Sequence, residues 1–393
     1  MKYQSVTLKE IAQIAAGGTP ARNKKEYWDK GNIPWVKISD IKGKYLNSVG
    51  EYITEEGLNN SSTKFFKKNT IIYTIFATIG EVSVLKMDAC TNQAIAGIKV
   101  NEEIADIMYI YYYLKSIREK VLDIGRGVAQ NNINLSILKE MRIPLPSLDE
   151  QKKIVAVLEK AQALIEKRKE AIAKLDELIQ SMFLDMFGDP VNNSLNWDKF
   201  KLGEVGTLAR GKSKHRPRNA PELLNGKYPL IQTGDVARAD LYIREYKQTY
   251  SELGLHQSKM WEKGTLCITI AANIAKTGIL TFDSCFPDSV VGFIPNEKSN
   301  INYIQIWFSF LQKIIEDAAP ESAQKNINLK ILGDLDVVLP PIDLQNKFSI
   351  MINKIDQEKQ KMKQSLSQLE VNFQTLLQQA FKGELKFNTE ITA

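Results

Sequence analysis

The sequence predicts an α+β protein built from two similar globular domains separated by two long helices packed as an antiparallel coiled coil, an internal pseudo-two-fold repeat. Three observations carry this. Several segments recur in the same order about 194 positions further on. A seven-residue apolar rhythm follows each copy. The remainder of each half mixes short β-like runs with a helical stretch.

The repeat is clearest where Ala129-Gln130-Asn131-Asn132-Ile133-Asn134-Leu135 returns as Ala323-Gln324-Lys325-Asn326-Ile327-Asn328-Leu329, six identities in seven. At the same offset Leu145-Pro146-Ser147-Leu148-Asp149-Glu150-Gln151 matches Leu339-Pro340-Pro341-Ile342-Asp343-Leu344-Gln345. Weaker echoes pair Leu8-Lys9-Glu10 with Leu202-Gly203-Glu204, residues 33–40 with 228–235, and residues 69–75 with 264–270. One match would mean little, but collinear matches near one offset imply duplication. Two copies of a long unit imply a pseudo-two-fold molecule rather than a solenoid.

The first globular domain is placed at residues 1–146, with β-like runs at 70–76 and 82–86 and a helical stretch at 104–122. A helix at 147–190 follows. Its apolar seam is Ile154, Leu158, Ala161, Ile165, Ile172, Leu175, Ile179, Met182 and Met186, in 4-3-4-3 spacing broken only at Arg168. The second domain, 191–340, has β-like runs at 266–271 and 278–282 and a helical stretch at 303–317. The distal helix, 341–387, carries Phe348, Ile352, Ile355, Met362, Leu366, Leu369, Phe373, Leu376 and Ala380, broken only at Lys359. About five heptads in each copy indicate coiled-coil helices, each ~55 Å long for ~37 residues. Two-fold symmetry perpendicular to the helices would pack them antiparallel. Ser147 with Glu150 is a possible capping box and Asp343 a possible cap. Gly188 and Pro190 end the first helix, and Gly383 follows the second.

Composition narrows the function classes. The chain has 393 residues, 44% hydrophobic and 25% charged, values of a folded protein rather than a disordered one. No 18-residue apolar run suggests a membrane span, and Glu10 and Gln13 interrupt any signal-peptide core. The expected location is the cytoplasm. Cys90, Cys267 and Cys285 have no CxxC spacing, so neither disulfides nor a cysteine zinc site is indicated. Only His215 and His256 are present, too far apart in sequence to form an HExxH metal site, and His-based acid–base chemistry has few candidates. A net charge of +6 permits nucleic-acid binding without establishing it.

No active site emerges. Gly206-x-x-x-x-Gly211-Lys212-Ser213 satisfies the phosphate-loop pattern, but Pro217 and Pro221 follow where the helix should run. Gly125-x-Gly127 is too short for a dinucleotide site. Pro287-Asp288 lacks the Glu-x-Lys of a nuclease. No Asn-Pro-Pro-Tyr or Asn-Pro-Pro-Phe of an amino-methyltransferase occurs. Catalytic residues and metal ligands are therefore expected to be absent.

Recognition chemistry is better represented. Arg210, Lys212, Lys214, His215, Arg216 and Arg218 fall within nine residues without an acid. The equivalent loop of the first half carries Arg22, Lys24, Lys25, Tyr27 and Trp28. Charge runs are commonly solvated faces, but basic loops at matching places in both copies point to phosphate contacts. The repeated Asn-rich motif reads either as local capping by Asn134 and Asn328 or as amide contacts to adenine. Its identity between the halves favours capping. Tyr109, Tyr111, Tyr112 and Tyr113 point to different helix faces and suit a core better than a stacking platform. The candidate DNA contacts are Arg22, Lys24, Lys25, Tyr27, Lys37, Ser39, Asn131, Lys212, Lys214, Arg216, Arg218, Gln232, Thr233 and Lys325.

The chain resembles the specificity subunit of a Type I restriction–modification system. The features are Gly17-Gly18-Thr19-Pro20, then Tyr27-Trp28 through Ile33-Pro34-Trp35-Val36-Lys37-Ile38-Ser39-Asp40, then Ile143-Pro144-Leu145-Pro146-Ser147-Leu148-Asp149-Glu150-Gln151, then Phe183 and Phe187-Gly188-Asp189-Pro190. The second half repeats the order more loosely, with Gly211-Lys212-Ser213 in place of Gly-Gly-Thr-Pro. The resemblance covers essentially the whole chain. It implies two target recognition domains, each reading half of a bipartite, asymmetric double-stranded DNA site, held apart by the helices. It also implies two methyltransferase (modification) subunits using S-adenosylmethionine to modify adenine, and restriction (translocase/endonuclease) subunits using ATP and magnesium, with no cofactor in this chain. The competing expectation is an orphan DNA-binding scaffold or anti-restriction decoy without catalytic partners.

Overall fold

Ile71, Ile72, Tyr73 and Thr74 form a strand buried on both faces. Side chains alternate across a strand, so Ile71 and Tyr73 enter one core while Ile72 enters another with Val36, Leu85 and Ile95. Leu266–Thr269 repeats the arrangement: Leu266 and Ile268 face the helical core and Cys267 faces Trp261 and Phe286. This two-sided strand is the centre of each half.

The computed structural model describes residues 3–126, 133–271, 274–317 and 328–387, without the side chains of 124–126 and 312–317. The chain forms two units: residues 1–169 with 364–393, and residues 170–363. In the first unit a five-stranded sheet runs Ala12–Ala16, Ile95–Val100, Ile71–Thr74, Val82–Leu85, Tyr45–Leu46. A four-stranded sheet runs Glu51–Ile53, Ile33–Val36, Ala89–Thr91, Phe65–Phe66, and Ser5–Thr7 pairs with Arg142–Pro144. The second unit has the same order. Its five-stranded sheet runs Gly206–Arg210, Val290–Pro295, Leu266–Thr269, Thr277–Leu280, Tyr242–Ile243. Its four-stranded sheet runs Gln248–Tyr250, Leu224–Leu230, Ser284–Cys285, Met260–Trp261, and Lys199–Lys201 pairs with Asp336–Val338. The duplication read from short motifs is thus a duplication of topology.

The long helices are Leu148–Phe187 and Ile342–Lys382. Within the second unit Asp176 meets Lys359, while Phe183 and Phe187 meet Phe348. Numbers rise along one helix as they fall along the other, so the two segments run antiparallel. In the first unit Lys169 pairs with Glu370 at 2.8 Å, and Ile154, Leu158 and Ile165 share a core with Phe373, Leu377 and Phe381. The burial differs from a strict heptad seam. Phe183, Phe187, Leu377 and Phe381 lie outside the expected seam and are buried, while Ile172, Leu175 and Leu376 are half-buried. Each helix segment packs on a globular domain as well as on the other helix, which widens its apolar stripe.

Gln151 and Gln345, equivalent in the repeat, are wholly buried at the helix starts. Gln151 Oε1 accepts the Asp106 N–H at 2.8 Å, and its Nε2 donates to the Pro146 and Ile104 carbonyls at 2.9 and 3.3 Å. Gln345 does the same with Asn300, Pro340 and Lys298 at 2.8, 2.7 and 3.1 Å. Ser147 Oγ accepts from the Glu150 N–H at 3.3 Å, but Glu150 Oε1 takes the Tyr3 hydroxyl instead of returning to the cap. Asp343 is not a cap: the helix starts at Ile342, so Asp343 lies in the first turn, where its charge suits the helix dipole. Gly188 and Gly383 both adopt φ near +70°, at 72° and 75°, the left-handed helix ending that glycine permits.

Asn134 and Asn328 cap short helices, accepting from the Ile137 and Ile331 N–H groups at 2.8 and 2.9 Å. Tyr109 and Tyr112 are wholly buried, Tyr111 is nearly so, and Tyr113 is half-buried. Tyr109 and Tyr113 pack on Phe381, and Tyr112 on Phe373. The tyrosines are core. Among the described residues no helix is long and apolar enough to cross a membrane.

Candidate nucleic-acid interface

In the first unit the glycine-rich turn makes the frame. Gly17 and Gly18 donate to the Ile95 and Thr91 carbonyls at 3.0 and 2.9 Å. A Cβ on Gly17 would stand 2.1 Å from the Thr91 carbonyl oxygen, so only glycine fits. The Trp35 indole N–H donates to the Gly18 carbonyl at 3.0 Å. Trp28 meets Trp35 edge-on at 5.1 Å, and the Arg22 guanidinium lies 3.8 Å from the Trp28 ring centre.

Glu51, on the strand beside Trp35, holds Arg22 at 2.6 Å and Lys37 at 2.5 Å. Partial burial pushes its carboxyl up, but the hydrogen bonds and charges of Lys37 and Arg22 outweigh this and hold it below the usual glutamate value. Lys24 donates to the Tyr27 hydroxyl at 2.9 Å, and that contact raises its ammonium above the ordinary lysine value. Tyr27 itself is buried, whereas Lys25 and Ser39 are exposed. The structure therefore gathers Arg22, Lys37 and Glu51 around a tryptophan pair, and sets Lys24 and Lys25 beside Tyr27.

The second unit keeps the frame with different side chains. Gly211 and Lys212 donate to the Val290 and Phe286 carbonyls at 2.9 and 3.1 Å. Gln257 Oε1 accepts the Lys214 and His215 N–H groups at 2.6 and 3.1 Å, and Ser258 Oγ donates to the Lys212 carbonyl at 2.9 Å. The loop backbone is thereby fixed while the Lys212 and Lys214 side chains stay exposed. Arg218 and Arg216 face Asp288 at 2.7 and 3.8 Å, and Arg216 also donates to the Ser213 carbonyl at 2.6 Å. Gly211–Lys212–Ser213 follows the strand Gly206–Arg210 without the helix a phosphate loop needs. Gln232 Nε2 donates to Gln248 Oε1 at 3.2 Å, and Thr233 starts the helix Thr233–Arg238. Asn131 and Lys325 lie outside the described residues.

Sequence reasoning missed Glu51, Gln248, Gln257 and Asp288, the groups that orient the predicted cations and amides. Asp288 belongs to the Pro287-Asp288 pair, which sequence reasoning weighed only as a nuclease motif. Glu51 and Gln248 become visible only through strand pairing. Among the described residues no group of three His, Cys, Asp or Glu side chains could hold a metal ion. The three thiols are buried, and burial pushes Cys90 up to about 11, far from a reactive thiolate.

Residues 1–176 and 194–371 each match the model of the type I restriction modification DNA specificity domain. The chain belongs to this family. Its members are specificity subunits, which recognise DNA sequence and are non-catalytic, with catalysis in partner subunits. The type I restriction enzyme MjaIX specificity subunit of Methanocaldococcus jannaschii is 25% identical over 381 residues, covering 88% of this chain and 85% of that one. A type I restriction enzyme specificity subunit of Escherichia coli is 32% identical over 183 residues, covering 45% of each chain. Solved structures share the fold. A chain from a study of type I restriction–modification complex assembly covers 98% of both chains with a TM-score of 0.63 at 19% identity. The type I S subunit of Mycoplasma genitalium covers 99% of this chain and 97% of its own with a TM-score of 0.52 at 19% identity. This type I specificity protein thus carries two target recognition domains, and its lack of catalytic motifs follows from its family.

Proposed function

We propose that this specificity protein reads a bipartite, asymmetric double-stranded DNA site, one half-site per target recognition domain, in the cytoplasm. It directs adenine methylation by two modification subunits, which bring S-adenosylmethionine. It also directs cleavage by restriction subunits, which bring ATP and magnesium. The observation that carries the reading is that the two units share one sheet order yet display different polar groups at matching places: Lys37 and Glu51 in one, Gln232 and Gln248 in the other. Phosphate contacts position a protein on DNA and base-edge contacts specify sequence, so one frame with two sets of polar groups suits two unlike half-sites. The helices then act as a spacer of fixed length.

The test is the methylome of a host with and without this gene. Loss of one bipartite methyladenine motif on deletion is expected. An unchanged methylome would overturn the reading.

A further inference from the structure

The two units differ by a matched exchange at one place. Lys37 closes a turn by donating its backbone N–H to Asp40 Oδ2 at 2.8 Å, and Gln232 closes the same turn on Asp235 Oδ2 at 2.9 Å. Strand register aligns their partners. Trp35 pairs with Glu51 and, on its other side, with Cys90. Leu230 pairs with Gln248 and, on its other side, with Cys285. Lys37–Glu51 and Gln232–Gln248 therefore occupy one position in two copies of the frame. An ion pair at 2.5 Å in the first copy stands where an amide pair at 3.2 Å stands in the second. Both members differ together while the turn and the register stay.

Stability gives little reason for such an exchange. Partly exposed ion pairs contribute little to stability, and an exposed amide pair contributes no more than an ordinary hydrogen bond. Recognition chemistry gives a stronger one. Lysine and arginine suit guanine O6 and N7, glutamate accepts from cytosine N4, and glutamine pairs with adenine N6 and N7. Lys37 and Glu51, with Arg22 beside them, carry the donors and acceptor for a G·C pair. Gln232 and Gln248 use one hydrogen bond on each other and keep further donors and acceptors for an A·T pair.

We propose that these equivalent pairs each set one base pair of their half-site, G·C through Lys37–Glu51 and A·T through Gln232–Gln248. This rests on the DNA-reading function proposed above. The test exchanges the pairs in the full chain co-expressed with its modification partners, as Lys37→Gln with Glu51→Gln, and separately as Gln232→Lys with Gln248→Glu. Motifs are read by selection from a randomised pool of duplexes. Each exchange is expected to shift preference at one position of one half-site by tenfold or more, toward A·T in the first variant and G·C in the second. The other half-site and the spacing stay unchanged, and the retained half-site shows that the chain has folded. Unaltered motifs in both variants overturn the proposal. Erasure of an entire half-site also overturns it, since the pair then supports the frame rather than reads a base. A wild-type chain that selects no bipartite motif overturns the underlying function instead.

Discussion

The Lys359 ammonium lies 2.5 Å from the Asp176 carboxylate and 3.4 Å from that of Asp240, with the lysine side chain only 3% exposed. The one polar break in the second apolar seam is thus a buried cation held by two acids. Asp240 also pairs with Lys363, and nearby Arg244 holds Asp356 at 2.5 Å. Asp240→Ala leaves Lys359 with the half-exposed Asp176 alone and should destabilise the second unit by about 1–2 kcal/mol, a value reduced because Asp240 is partly exposed. Lys359→Met restores an apolar seam residue while Asp240 keeps Lys363, so it should change stability by less than about 1 kcal/mol. Urea unfolding compares the variants; the reverse ranking would refute the assignment.

Acid should act through the same carboxylate. Burial raises the Asp240 pKa, but the Lys363 hydrogen bond and the Lys359 charge outweigh this and leave it below the ordinary 3.8. A carboxyl depressed by folding contributes stability above its unfolded value, and that contribution disappears as pH falls through the folded one. Asp240→Asn should therefore weaken the second unit at neutral pH, with the gap to wild type closing below about pH 4. A gap that stays constant down to pH 3 would remove Asp240 from the acid response.

The buried glutamines make a sharper stability prediction. Gln151→Leu strands the Asp106 N–H and the Pro146 and Ile104 carbonyls. Gln345→Leu does the same to Asn300, Pro340 and Lys298. Each should cost about 2–3 kcal/mol, the penalty of leaving buried polar groups unpaired. Thermal unfolding checks this, and an effect under about 0.5 kcal/mol would show that water replaces the amide.

For DNA, Lys212→Ala with Lys214→Ala should weaken binding across all sequences. The slope of log affinity against log salt should become shallower by about 0.9 for every phosphate that is no longer neutralised. The selected motif should not change, because phosphate binding carries no direct sequence information. A changed motif with an unchanged salt slope would make these lysines base readers.

Removing one heptad from each helix, 168–174 and 362–368, shortens each by about 10 Å, roughly three base pairs of DNA. The non-specific spacer between half-sites should change while both half-sites stay as they were. Altered half-sites with an intact spacer would defeat the spacer role of the helices.

Much of the fold was legible because duplication and heptad rhythm are local properties of a sequence. Asn134 and Asn328 were readable as caps, since a cap acts within three residues. Asp343 lies two residues past the capping position, Pro341, because capping depends on where the backbone first becomes helical. Phe183, Phe187, Leu377 and Phe381 escaped the seam because they face a second neighbour that heptad spacing does not encode. Lys359 was visible as a break, but its partner Asp240 lies more than a hundred residues away, in the connection between the helix Thr233–Arg238 and the strand Tyr242–Ile243. Glu51 and Gln248 were hidden for a like reason: strand register joins them to Lys37 and Gln232, and no motif does.

The division of the chain has a consequence for its synthesis. The second unit is one continuous stretch, 170–363, whereas the first needs residues between 366 and 387 to finish a core begun at Leu8. Chains emerge from the ribosome N-terminal end first, so the half made later completes its core earlier. Until Phe373, Leu377 and Phe381 arrive, Tyr109, Tyr112 and Leu158 have no cover from the second helix. The nascent first domain therefore waits with an open apolar face, and the interval in which it is open is the time taken to translate its sister.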